Sequence, residues 1–169
     1  MVIRKLLPQE WPIFRAIRIQ ALTTDPQAFG ATLESTLART DDHWRDRIAQ
    51  ADSEGAALLF AMEDEKVVGV IGAYPDPAPN TALLVSMYVV PEARGRGIAR
   101  RLISALVEEM TGKYEALELD VNRRQSAAVS LYLACGFTVI RDGIYTRQDG
   151  SQYDDYRMRL DLPQRTRIE

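Results

Sequence analysis

Residues 89–110 read VVPEARGRGIARRLISALVEEM, and this stretch decides how the rest of the chain is understood. Strand-type residues run up to Pro91. A basic turn of Arg94, Gly95, Arg96, Gly97, Ile98 and Ala99 follows, and an amphipathic helix opens at once. Ala99, Leu102, Ile103, Leu106, Val107 and Met110 recur at the spacing of one helical face. Arg94, Arg96, Arg100 and Arg101 crowd the helix N-terminus. That end carries partial positive charge and unpaired N–H groups, so it disfavours each cation by a few tenths to about 1 kcal/mol. Within the stretch, Glu92 can reach only Arg96, and no acid stands one turn from Arg100 or Arg101. Cations piled on an already positive helix end predict a bound anion, with phosphate the natural one. The competing reading is a solvated basic turn. Gly95 and Gly97 favour the anion, because they let the backbone approach a ligand closely.

Working outward, residues 83–90 are strongly apolar and read as a central strand, stopped by Pro91, which lacks an N–H. Upstream, residues 56–62 and 67–74 are strands flanking a polar hairpin at 63–66, and 75–80 is a Pro- and Asp-rich loop. Earlier still, residues 2–6 are a short strand. Trp11, Phe14, Ile17 and Ala21 stripe a helix over roughly 9–22. Residues 26–34 show no period and read as a loop. Thr40 caps a further helix carrying Trp44 and Ile48. Downstream, residues 116–121 form a strand in which Leu117, Leu119 and Val121 alternate with Glu118, Asp120 and Asn122. Residues 125–135 form a helix with Gly136 at its C-terminal cap, and Phe137 begins another strand. The last strand sets Tyr156, Met158, Leu160 and Leu162 against Arg157, Arg159 and Asp161. The tail 163–169 is polar and expected to fray. The order predicts one domain over 1–169: a mixed α/β sheet, mostly antiparallel, with one crossover helix in the middle.

Composition narrows the function. The 169 residues carry a formal net charge of −3, which argues against nucleic acid as the main partner. Residues 1–85 hold 8 basic and 12 acidic side chains and residues 86–169 hold 13 and 12, so basic character is confined to the half with the arginine turn. The acidic loops around 25–42 and 63–65 point mildly to a cationic partner. Cys135 is the only cysteine and His43 the only histidine. An intramolecular disulfide, a Cys-based zinc site and a His-based triad are therefore disfavoured, and no metal is expected. His43 reads as a surface helix residue, Cys135 as core. The N-terminus is not of signal-peptide type and no apolar run is long enough to span a bilayer, so no membrane partner and a reduced, cytoplasmic setting are the expectation. Apolar C-terminal strands are compatible with a homodimer.

The turn is neither a Walker loop nor a full dinucleotide fingerprint, since Gly95 and Gly97 are followed by Arg100 where a third glycine belongs. Arg94-x-x-Gly97-x-Ala99, after a strand and Pro91, resembles the pyrophosphate-binding motif of the GNAT superfamily of acetyl-CoA-dependent N-acetyltransferases. Downstream, Ala128-x-x-Leu131-Tyr132-x-x-x-Gly136-Phe137 is similar to the family's second block, and the ending Tyr-Asp-Asp-Tyr-Arg-Met-Arg-Leu to its final strand. The resemblance spans nearly the whole chain and is strongest over 83–162.

The resemblance implies a GNAT-type sheet flanked by helices and splayed at an acetyl-CoA cleft. It implies that backbone N–H groups of Arg94, Gly95, Arg96, Gly97, Ile98 and Ala99 hold the pyrophosphate, and that backbone groups of Met87, Tyr88 and Val89 pair with the pantetheine arm. Arg100 and Arg101 either screen nucleotide phosphates or are solvated. Gln125 stands where the family often has Asn, and Asn122 sits three residues earlier. Either amide can contact CoA, with Asn122 favoured. Tyr132 matches the family's general acid, against the alternative of a core aromatic. Asp120 is the candidate base, against a solvated strand residue. Glu34 is the other candidate carboxylate, as base or as a substrate-ammonium ligand, and Glu118 is a third. The implied activity is transfer of acetyl from acetyl-CoA to a primary amine by direct attack in a ternary complex. A non-catalytic acyl-CoA sensor of the same fold is the alternative.

Overall fold

The arginine turn sits where a central strand hands over to a helix on one face of an open sheet. The structure, a computed structural model, describes residues 1–53 and 55–164. The expected frayed tail beyond residue 164 lies outside them. The strands are β1 (Val2–Arg4), β2 (Ala57–Glu63), β3 (Lys66–Pro75), β4 (Thr81–Val89), β5 (Ala116–Asn122), β6 (Thr138–Thr146) and β7 (Gln152–Asp161). The helices are α1 (Trp11–Thr24), α2 (Leu33–Leu37), α3 (Asp41–Ala51), α4 (Ile98–Met110) and α5 (Ser126–Ala134). One 7-stranded sheet runs β1-β2-β3-β4-β5-β7-β6, antiparallel throughout except for β4 and β5, which α4 joins as a parallel crossover. Among the described residues no helix is long and apolar enough to cross a membrane.

The two faces are covered differently. On one, α4 buries Ile98, Leu102, Ile103, Leu106 and Met110, the stripe read from the sequence. Each such side chain contributes up to about 1.5–3 kcal/mol. On the other, Phe14 of α1 meets Trp44 of α3 at 5.2 Å and Phe60 of β2 at 5.8 Å, both edge-on. β6 is the outer edge, where Val139, Ile140 and Ile144 stay exposed.

Three local features shape what lies between these layers. β4 carries one extra residue against β3, because Val85 pairs with Gly72 but Tyr88 with Val70. Ser86 takes up the bulge with φ of 59°. β4 and β5 pair only over Thr81–Leu83 and Ala116–Glu118, and past that point they part. Finally, α5 ends as expected at Gly136: Phe137 N donates to Tyr132 O at 3.0 Å and Gly136 N to Leu133 O at 3.1 Å.

One segment departs from its sequence reading. Residues 26–34, expected as loop, hold a 3-10 turn at Pro26–Ala28 and the start of α2. A five-residue helix is too short to show a period. Its signal is capping chemistry, with Ser35 N donating to Thr32 Oγ1 at 3.1 Å and Thr32 N to Ser35 Oγ at 3.3 Å.

Candidate active site

Gly95 and Gly97 adopt φ of 75° and 78°, and Gly97 occupies the N-cap of α4. A side chain at either would meet open space but a strained backbone. The left-handed turns aim the chain so that the N–H groups of residues 95–100 find no acceptor among the described residues. Such a run of free donors at a helix start fits an anion of phosphate type. A cleft of about 330 Å³ opens beside it, lined by Val89, Arg94, Gly97, Ala99, Arg100 and Leu131 among others.

The uncompensated charge inferred from the sequence is half wrong. Arg94 Nη2 lies 2.6 Å from Asp25 Oδ2, and its Nε donates to Val89 O at 2.9 Å. Arg96 pairs with Glu63 at 2.5 Å rather than with Glu92. Both acids come from distant segments, beyond the reach of helical spacing rules. They also belong to the acidic loops that pointed to a cationic partner; their partner is this turn. Arg100 and Arg101 are exposed and make no ion pair among the described residues.

Where β4 and β5 part, a second cavity of about 460 Å³ opens. Met87, Asp120, Asn122, Gln125 and Tyr132 all line it, and Leu131 lines both cavities. The spaces therefore adjoin across one side chain of α5. Tyr132 is 6% exposed and packs edge-on against Phe137 at 5.7 Å. Burial, with Cys135 adding to it, pushes its phenol well above the ordinary range, so the hydroxyl stays protonated near neutrality. Tyr88 turns to the opposite layer, its ring 6.4 Å from Phe29 and its hydroxyl 3.3 Å from Thr24 Oγ1.

Asp120 is not a solvated strand residue. Arg157 Nε lies 2.8 Å from its Oδ1, an ion pair by distance without the angle of a hydrogen bond. The same arginine stands 3.4 Å from Asp76 and 3.6 Å from Glu118. Register explains this cluster, since β5 and β7 pair Asp120 with Arg157 and Glu118 with Arg159 on one face. Asn122 is engaged at both ends, Nδ2 donating to Gln27 O at 3.4 Å and Oδ1 accepting from Arg124 N at 3.0 Å. Gln125, the residue before α5, makes no side-chain cap hydrogen bond and none to another side chain among the described residues, and is the freer amide. Glu34 is exposed in the first turn of α2 and lines neither cavity. That segment contributes Ser35, Thr36 and Arg39 instead.

The far wall of the larger cavity carries three residues the sequence reading passed over, Arg18, Arg39 and Arg47, together with Trp44, which that reading placed only on its helix. His43, expected on the surface, is half-buried in the same wall. Arg18 had a readable signal, since it stands one turn after Phe14 and one before Leu22, inside an apolar stripe. Cys135, expected in the core, is only half-buried; burial raises its thiol pKa against the opposing charge of Arg100. Gly30 lets Tyr145 press onto the cavity rim, where an added Cβ would meet the Tyr145 hydroxyl at 2.1 Å. Ser35 Oγ donates to Gln148 Oε1 at 2.8 Å alongside it.

Known proteins resemble this chain in sequence and fold. The chain is 33% identical over 88 residues to human N-acetyltransferase 8B, a match covering 49% of this chain and 39% of that one. It therefore spans well under half the length of that relative. It is 27% identical over 140 residues to phosphinothricin N-acetyltransferase of Alcaligenes faecalis, covering 80% and 68%. Among solved structures, a putative acetyltransferase from Salmonella typhimurium with its cofactor acetyl-CoA superposes with a TM-score of 0.79 at 21% identity, covering 100% of this chain and 98% of that one. Residues 19–137 match the Acetyltransferase (GNAT) family, and the chain, with its splayed mixed sheet and free N–H groups at the start of α4, belongs to that family.

Proposed function

We propose that the protein transfers the acetyl group of acetyl-CoA to a primary amine by direct attack within a ternary complex. The observation that carries this is the adjacency of two cavities across Leu131, one beside the free N–H run and one lined by Tyr132. In this reading the N–H groups of residues 95–100 take the pyrophosphate, and the pantetheine arm lies in the gap left where β4 and β5 part. The unpaired backbone there, from Leu84 to Val89, offers it strand-like hydrogen bonds. Acetyl-CoA supplies an activated thioester, so no protein nucleophile is needed, in keeping with a Cys135 thiol whose pKa is raised.

The acceptor nitrogen, neutral when it attacks, bonds to the carbonyl carbon as the carbon–sulfur bond breaks. Tyr132 gives its proton to the departing sulfur, and the amine's surplus proton leaves through Asp120 or water. Since Asp120 is held by Arg157, a bridging water is its route to the amine. Gln125 is the better-placed amide for CoA, because Asn122 is already committed within the chain. The names of both matched relatives, N-acetyltransferases, support the class of reaction. A cytoplasmic setting belongs to the same proposal. The test is thiol release from acetyl-CoA against a panel of amines, alongside calorimetric titration with CoA. Tight CoA binding with turnover of at least one amine is expected; absence of CoA binding would overturn the reading.

A further inference from the structure

The acceptor side of the larger cavity is built for negative charge. Arg18, Arg39 and Arg47 line it, and none of them meets a carboxylate within ion-pair distance among the described residues. Arg18 departs furthest from ordinary surface behaviour. Its Nη1 is fully enclosed with no hydrogen-bond partner, and its guanidinium carbon lies 5.1 Å above the Phe29 ring. Burial and the neighbouring charge of Arg47 push its pKa down to about 10. A second enclosed donor stands in the same wall, the Trp44 indole N–H, also without an acceptor. His43 beside it has its pKa lowered, first by burial and then by Arg39 and Arg47, so it adds no charge near neutrality. Among the described residues the only carboxylate lining the cavity is Asp120, which Arg157 already holds.

Arg18 as a whole is half-buried, but its enclosed Nη1 and the Trp44 indole N–H are donors without acceptors, and such donors are rarely abandoned in a native fold. The Arg18, Arg39 and Arg47 side chains line the cavity without a carboxylate partner among the described residues, so an anion that enters it can supply one. A volume of about 460 Å³ that also takes the reacting end of the acetyl donor leaves room for a small molecule. We infer that the acceptor is a small amine bearing an oxyanion, such as an amino acid, whose anionic group is held by Arg18 and Arg47 with its amine toward Tyr132 and Asp120. This rests on the acetyltransferase reading above and replaces the cationic acceptor that the acidic loops pointed to.

The experiment compares matched acceptors in the thiol-release assay: free α-amino acids, their primary amides, and the corresponding aminophosphonates. The expected result is that an oxyanion-bearing series is used with kcat/KM about 10- to 100-fold above its amides, the range of one or two charge-assisted hydrogen bonds. The two acidic series separate a planar carboxylate site from a tetrahedral one. Arg18→Gln should abolish the preference, raising KM for the acid and leaving that for the amide unchanged. Arg47→Gln, at an exposed position where folding is safe, should reduce it in the same sense. Equal use of acids and amides, or a preference that survives both substitutions, overturns the inference while leaving the acetyltransferase standing. Failure of every series in an enzyme that binds CoA overturns the inference as well, and failure of CoA binding takes down the parent reading with it.

Discussion

At the donor end of the cleft, Arg94 and Arg96 are each met by a carboxylate that the fold delivers from elsewhere, Asp25 and Glu63. At the acceptor end, Arg18, Arg39 and Arg47 are met by none among the described residues. The difference separates two ways of holding an anion. The donor turn neutralises much of its side-chain charge and offers backbone N–H groups, which are fixed by glycine geometry and indifferent to what else the donor carries. The wall of Arg18, Arg39 and Arg47 is left unbalanced, and under the proposed reading it would select the acceptor by charge. A donor common to many reactions suits the first device, and a particular acceptor the second.

The sharpest test of this division is Tyr132→Phe. Loss of the proton donor should lower kcat about 100- to 10,000-fold while calorimetry finds CoA affinity unchanged, since the hydroxyl belongs to neither anion site. Wild-type turnover in that variant would remove Tyr132 from the chemistry. Next in size is Gly97→Val, which forces a β-branched residue into a left-handed conformation at the N-cap of α4. Strain of about 1–3 kcal/mol predicts CoA binding weakened about 5- to 150-fold, with acid-over-amide acceptor preference retained. Weakened CoA binding that also erased acceptor preference would show the two ends to be one site.

Arg18 and Tyr132 were unequally visible in the sequence. Tyr132, Gly97 and the stripe of α4 lie in contiguous runs where spacing alone carries the message. The mixed, mostly antiparallel sheet followed from the order of elements and from the single crossover implied by a helix between two strands, but the place of β7 between β5 and β6 did not. By contrast, the acceptor wall is assembled from α1, α2 and α3, one side chain at a time, and no local period links Arg18 to Arg47. The same holds for Arg94 with Asp25, 69 residues apart. For Asp120 the sequence leaves a solvated strand residue open beside the candidate base, because alternation marks which face a residue takes, not what stands beside it there; β7 sets Arg157 against it.

Two smaller effects sharpen the contrast further. Tyr132 has its phenol pKa raised in the folded state, so its contribution to stability is fully present below the unfolded value of about 10 and is lost as pH rises above it, by up to about 1.4 kcal/mol per pH unit. Alkaline denaturation should therefore be steeper in the wild type than in Tyr132→Phe, by urea midpoints at pH 9 to 11. Parallel curves would mean the hydroxyl is solvated. Smallest is Glu63→Gln. Its ion pair with Arg96 is partly exposed, so stability should change by less than about 1 kcal/mol. Freed of its counter-charge, the turn should bind CoA slightly more tightly at low salt, a gain that disappears as salt is raised.

The short pairing between β4 and β5 has a mechanical side. Three residue pairs hold the sheet together at that point, so the sheet is two plates, β1–β4 and β5–β7–β6, stitched by a brief seam, with α4 packed on the first. A ligand whose amide groups run along the seam adds rungs to both plates at once. Occupancy and stiffness then become the same event. Amide exchange should slow on both plates, including at β7, which carries Arg157 and is far in sequence from the phosphate turn. The donor, in completing the sheet, would also set the spacing between the bulged backbone at Ser86 on one plate and Tyr132 of α5, the helix that follows β5 of the other.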